Sequence, residues 1–199
     1  MIQQKQVAVE DLPSQCQRVI ENLDNYAILD SETTGLHGPI IDLAITDPAG
    51  RVLFDKLLRP KCAIEEEAIA IHGITEDMVA EARSFAEEWS EISEALKGRT
   101  IIVYNAKFDK ARLEHTARVH GITLPSMTWR CMMDKYATFY GAPGKYERSG
   151  PRWQKLEIAC AQQGIVFKQT HRALGDAQAT AMLIRRIAEL GDDAGRYVA

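Results

Sequence analysis

A β run that passes straight into a helix restricts this chain more than any other feature. Thr100 to Tyr104 reads as a strand, and a helical pattern from Phe108 to about Val119 follows it at once, stopped by Gly121. Such a unit must bury one side of the strand beneath its own helix, which calls for further strands alongside. Tyr26 to Asp30 is a short strand. Ile40 to Thr46 and Arg51 to Leu58 flank Asp47-Pro48-Ala49-Gly50 as a hairpin, so the sheet opens antiparallel. Ser84 and Glu87 make a capping box for a helix carrying Phe85, Trp89, Ile92 and Leu96 at helical spacing, with Gly98 ending the run. Beyond Gly121 come a strand near Thr128 to Met132 and helices near Lys155 to Gln163 and Ala173 to Leu190. A hairpin ahead of strand–helix units indicates a mixed α/β sheet flanked by helices.

At 199 residues one core suffices. Residues 14 to 24 place Val19, Ile20 and Leu23 on one stripe after Pro13, so residues 1–24 read as an appendage with a short helix, 25–191 as the domain and 192–199 as a frayed tail. The longest apolar runs fall far short of the roughly 20 residues that span a membrane. Glu10 and Asp11 arrive too early for a secretory leader, so the expected location is cytoplasmic. The four cysteines are scattered without zinc-finger spacing, which excludes a zinc site or disulfide framework as the organising principle. A net charge of −4 offers no global attraction to a polyanion, so a nucleic-acid partner needs a local feature. The acidic stretch from Glu65 to Glu94 is expected to face solvent. The stretch from Lys145 to Arg172, with Arg148, Arg152, Lys155 and Lys168, is a basic region suited to phosphates.

Chemistry concentrates at three places. Asp30 and Glu32 are one residue apart on the first strand, where a period of two sends both to one face and lets them share a divalent cation. Alone, the pair is equally an exposed acidic turn. Thr33-Thr34-Gly35 then supplies a sharp exit whose amides and hydroxyls could approach a phosphate or sugar. Asp109 follows the strand of the β-to-α unit, where α/β sheets assemble sites, although a first-turn aspartate also complements a helix dipole. His171 and Asp176 would diverge by about 140° on one helix, so they converge only if His171 precedes it on a loop. Histidine is the side chain suited to taking a proton from water near neutral pH.

Asp30-Ser-Glu-Thr-Thr-Gly35, Asn105-Ala-Lys-Phe-Asp109 and His171-Arg-Ala-Leu-Gly-Asp176, with Ala70-Ile-His-Gly-Ile-Thr75 between the first two, resemble the signature of the DEDDh exonucleases. The similarity runs from about Tyr26 to Leu190 and looks most like exodeoxyribonuclease X and the proofreading subunits of replicative polymerases. The resemblance implies a ribonuclease H-like fold with a mixed five-stranded sheet and a 3′-to-5′ exonuclease acting on a free 3′ end. It implies two divalent cations, Mg²⁺ or Mn²⁺, held by Asp30, Glu32, Asp109 and Asp176, with His171 as general base and nucleoside 5′-monophosphates as products. Thr33, Thr34, Ile71, His72 and Phe108 would frame the terminal nucleotide, while core packing for Ile71 and Phe108 and a structural role for His72 remain open. Asp42 stands where the family commonly carries Glu and is placed outside the carboxylate set. DNA, single-stranded or frayed, is favoured over RNA as substrate; an exoribonuclease is the nearest rival and a non-catalytic binding module the third reading. A polymerase or other protein could dock through the N-terminal segment.

Overall fold

The computed structural model describes residues 11–141, 151–167 and 171–191. Five strands, β1 (Tyr26–Thr33), β2 (Ile40–Thr46), β3 (Val52–Leu57), β4 (Thr100–Val103) and β5 (Thr128–Cys131), form one mixed sheet in the order β3-β2-β1-β4-β5. β1 pairs antiparallel with β2, which pairs antiparallel with β3, while β1, β4 and β5 run parallel. The hairpin and the strand–helix units therefore share one sheet, built on a central β1 buried on both faces.

The helices are α1 (Leu12–Glu21), α2 (Glu66–His72), α3 (Glu76–Val79), α4 (Phe85–Leu96), α5 (Ala106–Val119), α6 (Met132–Tyr140), α7 (Leu156–Gln162) and α8 (Ala173–Ala188). One face of the sheet, through Tyr26, Ile28, Ala44 and Ile102, packs on α1, α6, α7 and α8. The other, through Ala27, Leu29, Leu43, Ile45, Ile101 and Val103, packs on α4 and α5. Alternation along β1 thus assigns Asp30 and Glu32 to the α8 side and Ser31 to the α5 side. α8 presents Ala173, Ala177 and Ala181 among its buried residues, and these short side chains let its backbone lie close to the sheet.

The capping box at Ser84 and Glu87 forms as the sequence predicts. α1 differs from its expectation: Asp11 accepts from the Ser14 N–H at 2.8 Å and starts the helix early, it stops at Glu21, and Leu23 falls in a 3₁₀ turn. That phase buries Leu12, Cys16 and Val19 in the core shared with α8. The acidic stretch needs one correction. Glu88 is buried rather than solvent-facing, and it takes Lys56 at 2.8 Å and Arg83 at 3.1 Å as partners, because an ionised carboxylate enters a core only when paired. α2 and α3 were not expected from the pattern. Among the described residues no helix is long and apolar enough to cross a membrane. The expected tail 192–199 and the basic residues Lys145, Arg148 and Lys168 lie outside the described residues.

Candidate active site

The site forms where the C-terminal ends of parallel β1 and β4 meet the N-terminal turns of α5 and α8, one helix from each face of the sheet. Asp30 and Glu32 come from β1, Asp109 from the first turn of α5, and Asp176 from the first turn of α8. His171 precedes α8 on the loop, as its spacing to Asp176 requires. Ligand atoms of Glu32, His171 and Asp176 all lie within 4.8 Å of one another. Asp30 and Asp109 stand outside that closest trio but inside its field: burial first, then the charges of Asp109, Asp176, Glu32 and Asp42, push the Asp30 pKa well above the usual carboxylate range. Burial, followed by the same kind of repulsion, raises Glu32 to about 8. Asp109, fully enclosed, rises to about 7 even though the Ser31 hydroxyl donates to its Oδ1 at 2.9 Å and opposes the shift. Carboxylates crowded at this mutual cost are the donor set a hard divalent cation relieves, and the residues present fit one.

The exit from β1 is tightly built. Thr34 N–H donates to Pro39 O at 3.0 Å, Thr34 O accepts from Glu65 N–H at 2.8 Å, and the Thr33 hydroxyl donates to Gly35 O at 2.7 Å. A side chain at Gly35 would run into the Glu65 carboxylate, and one at Gly38 into the Thr34 hydroxyl. The Thr34 amide is therefore committed inside the loop. His72 has the contacts of the structural role left open for it. It is buried, its Nδ1 accepts from Ile74 N–H at 3.0 Å, and its Nε2 then donates to Thr33 O at 3.1 Å, so both ring nitrogens brace the loop. Ile71, by contrast, is 59% exposed, which excludes core packing. Phe108 is half-buried and lines a groove of about 530 Å³ with Leu36, His37, Lys107, Arg112 and Trp153. Trp153 is 64% exposed there, whereas Trp129 packs against the core.

Two features escaped the sequence reading. Ser31 lies between the paired acids but on the opposite face, a position the period of two already implied. Asp42, placed outside the carboxylate set, sits in register opposite Glu32 and adds to the charge felt by Asp30 and Glu32. It also accepts from Arg172 Nε at 2.7 Å, so Arg172 is not a free cation for phosphate. No local signal could join Asp42 to Arg172, because 130 residues separate them.

The exonuclease family described as RNase_T matches residues 27–184. An uncharacterized exonuclease, CP81, of Escherichia phage 186 is 32% identical over 177 residues, covering 84% of this chain and 90% of that one. DNA polymerase III subunit epsilon of Escherichia coli K12 is 28% identical over 170 residues, covering 77% of this chain and 67% of that one. Exonuclease X in complex with 5′ overhanging duplex DNA superposes with a TM-score of 0.60 at 27% identity, over 87% of this chain and 97% of the other. With the acidic cluster, the loop histidine and the ribonuclease H-like sheet in place, the chain belongs to the RNase_T exonuclease family and is a 3′-to-5′ exonuclease of the DEDDh type.

Proposed function

We propose that this exonuclease removes nucleotides from the 3′ end of DNA, single-stranded or frayed, as nucleoside 5′-monophosphates. The observation that carries the reading is the approach of Glu32, His171 and Asp176 to within 4.8 Å at the rim of the buried carboxylates. Asp30, Glu32, Asp109 and Asp176 would hold two divalent cations, Mg²⁺ or Mn²⁺. When bound, such ions neutralise phosphate charge and lower the pKa of the attacking water. The protein's own share is orientation and proton transfer. A ring nitrogen of His171 takes the proton of the attacking water, and Ser31 keeps Asp109 turned toward the cluster. Exposed Ile71 and the Phe108 ring flank the terminal nucleotide, while Thr33 and Thr34 shape the turn beneath it. DNA is favoured because Exonuclease X carries DNA in its complex and the epsilon subunit belongs to a DNA polymerase. A polymerase or other protein meeting the N-terminal segment would use the outer face of α1, since Leu12, Cys16 and Val19 are buried.

The test is incubation with 3′- and 5′-labelled single- and double-stranded DNA and RNA, with Mg²⁺, Mn²⁺ or EDTA. Stepwise loss from the 3′ end of DNA, abolished by EDTA, is expected, and Asp30→Asn or Asp176→Asn should lower the rate more than about 100-fold. Faster digestion of RNA would replace the substrate, and full activity of either variant would remove the carboxylate assignment.

A further inference from the structure

Among the described residues, His171 is the non-glycine residue with a positive φ, 49°. The left-handed region is unfavourable for an L residue with a bulky side chain, so neighbouring interactions must hold the backbone there. Those interactions follow in the next two residues. Arg172 Nε donates to Asp42 Oδ2 at 2.7 Å, and the Ala173 N–H donates to the same oxygen at 3.2 Å. One carboxylate oxygen on β2 therefore grips both the side chain and the main chain that continue from His171 into α8. Asp42 is itself 1% exposed and faces Glu32 across the β1–β2 pair. Its other oxygen, Oδ1, is buried with no hydrogen-bond partner among the described residues.

As a plain stabilising pair this is a poor arrangement. Asp42 adds negative charge beside carboxylates that already repel each other, and it leaves one oxygen desolvated and unpaired, where an apolar side chain would carry neither cost. What the arrangement does provide is placement. It ties the last loop residue before α8 to the strand opposite Glu32, so the two sides of the trio Glu32, His171 and Asp176 are held by one clamp. Arg172 is half-exposed, so its guanidinium reaches Asp42 along the surface beside the site.

We propose that Asp42 and Arg172 are positioning residues that hold His171 in its left-handed conformation and aim its ring at the attacking water. The inference rests on His171 acting as the general base. Arg172→Gln keeps the Ala173 hydrogen bond and the fold, which a thermal melt would check. It should lower kcat by about 10- to 100-fold, as loss of an orienting partner does, with KM and the Mg²⁺ concentration for half-maximal rate changed less than about two-fold. The deciding measurement is a cycle with His171→Ala: in that background Arg172→Gln should cost no further rate, because the clamp would have nothing left to aim. Asp42→Asn serves as an independent second variant: its loss of kcat at saturating Mg²⁺ should likewise vanish in the His171→Ala background, while its Mg²⁺ requirement also shifts because a charge beside Asp30 and Glu32 is removed. Equal losses in both backgrounds would overturn the clamp while leaving the general base intact. A rise in KM at unchanged kcat would make Arg172 a substrate contact and likewise overturn it. A His171→Ala enzyme as fast as the parent would remove the base assignment first, and the clamp with it.

Discussion

Glu32 and Asp109 hold protons at pH values where ordinary carboxylic acids have lost them, near 8 and near 7 respectively, chiefly because burial penalises their charged forms. The sign of the consequence is definite. A carboxyl whose folded pKa lies above its unfolded value binds more protons when folded, so it subtracts stability progressively as pH rises from the unfolded pKa to the folded one. For Glu32 that window runs from 4.5 to about 8. In EDTA, Glu32→Gln should therefore be more stable than the parent at pH 8 by roughly 2 kcal/mol, after discounting for its partial exposure, and the difference should vanish below pH 4.5. Adding Mg²⁺ or Mn²⁺ should stabilise the parent more at pH 8 than at pH 5, since the ion competes with protons for the same oxygens. Melting curves across pH, with and without metal, check both; a stability gap independent of pH would contradict the assigned repulsion.

At the scale of elements, α8 links folding to chemistry. It bears Asp176, begins two residues after His171, and is backed by α1 through Leu12, Cys16 and Val19. Val19→Ala deletes two methyl groups from that contact and should cost about 1–3 kcal/mol in chemical denaturation while leaving kcat unchanged. A loss of activity with little loss of stability would mean that α1 reaches the site in some way its packing does not account for. β1 has a comparable double duty. Its register places Glu32 opposite Asp42, and a slip of one residue would turn both acids from the α8 face to the α5 face. The bulge between Glu32 and Thr33 lets the strand end just where the Thr34–Gly35 turn must begin.

For the molecule as a whole, a net charge of −4 means that affinity for a polyanion has to be local. The groove lined by Leu36, Lys107, Phe108, Arg112 and Trp153 combines the exposed Trp153 ring and the half-buried Phe108 ring with cationic side chains, the composition that holds single strands by stacking and phosphate contact. Trp153→Ala should raise KM for a single strand by roughly 10-fold, the equivalent of about 1–2 kcal/mol of stacking, with kcat preserved. Steady-state kinetics on an oligonucleotide and on a dinucleotide would check this, because only the longer substrate reaches beyond the terminal site. Equal effects on both would place Trp153 at the reacting nucleotide instead.

The local chemistry of the chain determined much of this protein by itself. Period-two alternation put Asp30 and Glu32 on one face, helical angle arithmetic kept His171 off the helix that carries Asp176, and capping chemistry marked the start of α4. Those signals act over a few residues, where backbone geometry alone dictates direction. Other outcomes were decided only when distant segments met. Glu88 turned inward because Lys56 and Arg83 arrived to pair with it, His72 became a brace because Thr33 lay beside its ring, and the stripe that α1 buries was selected by α8. Asp42 shows the limit most clearly. Whether a carboxylate counts as an exposed acid, a ligand or a clamp depends on which charges and donors surround it in a desolvated space, and for Asp42 those belong to Glu32 and Arg172, which the folded sheet and α8 bring to it.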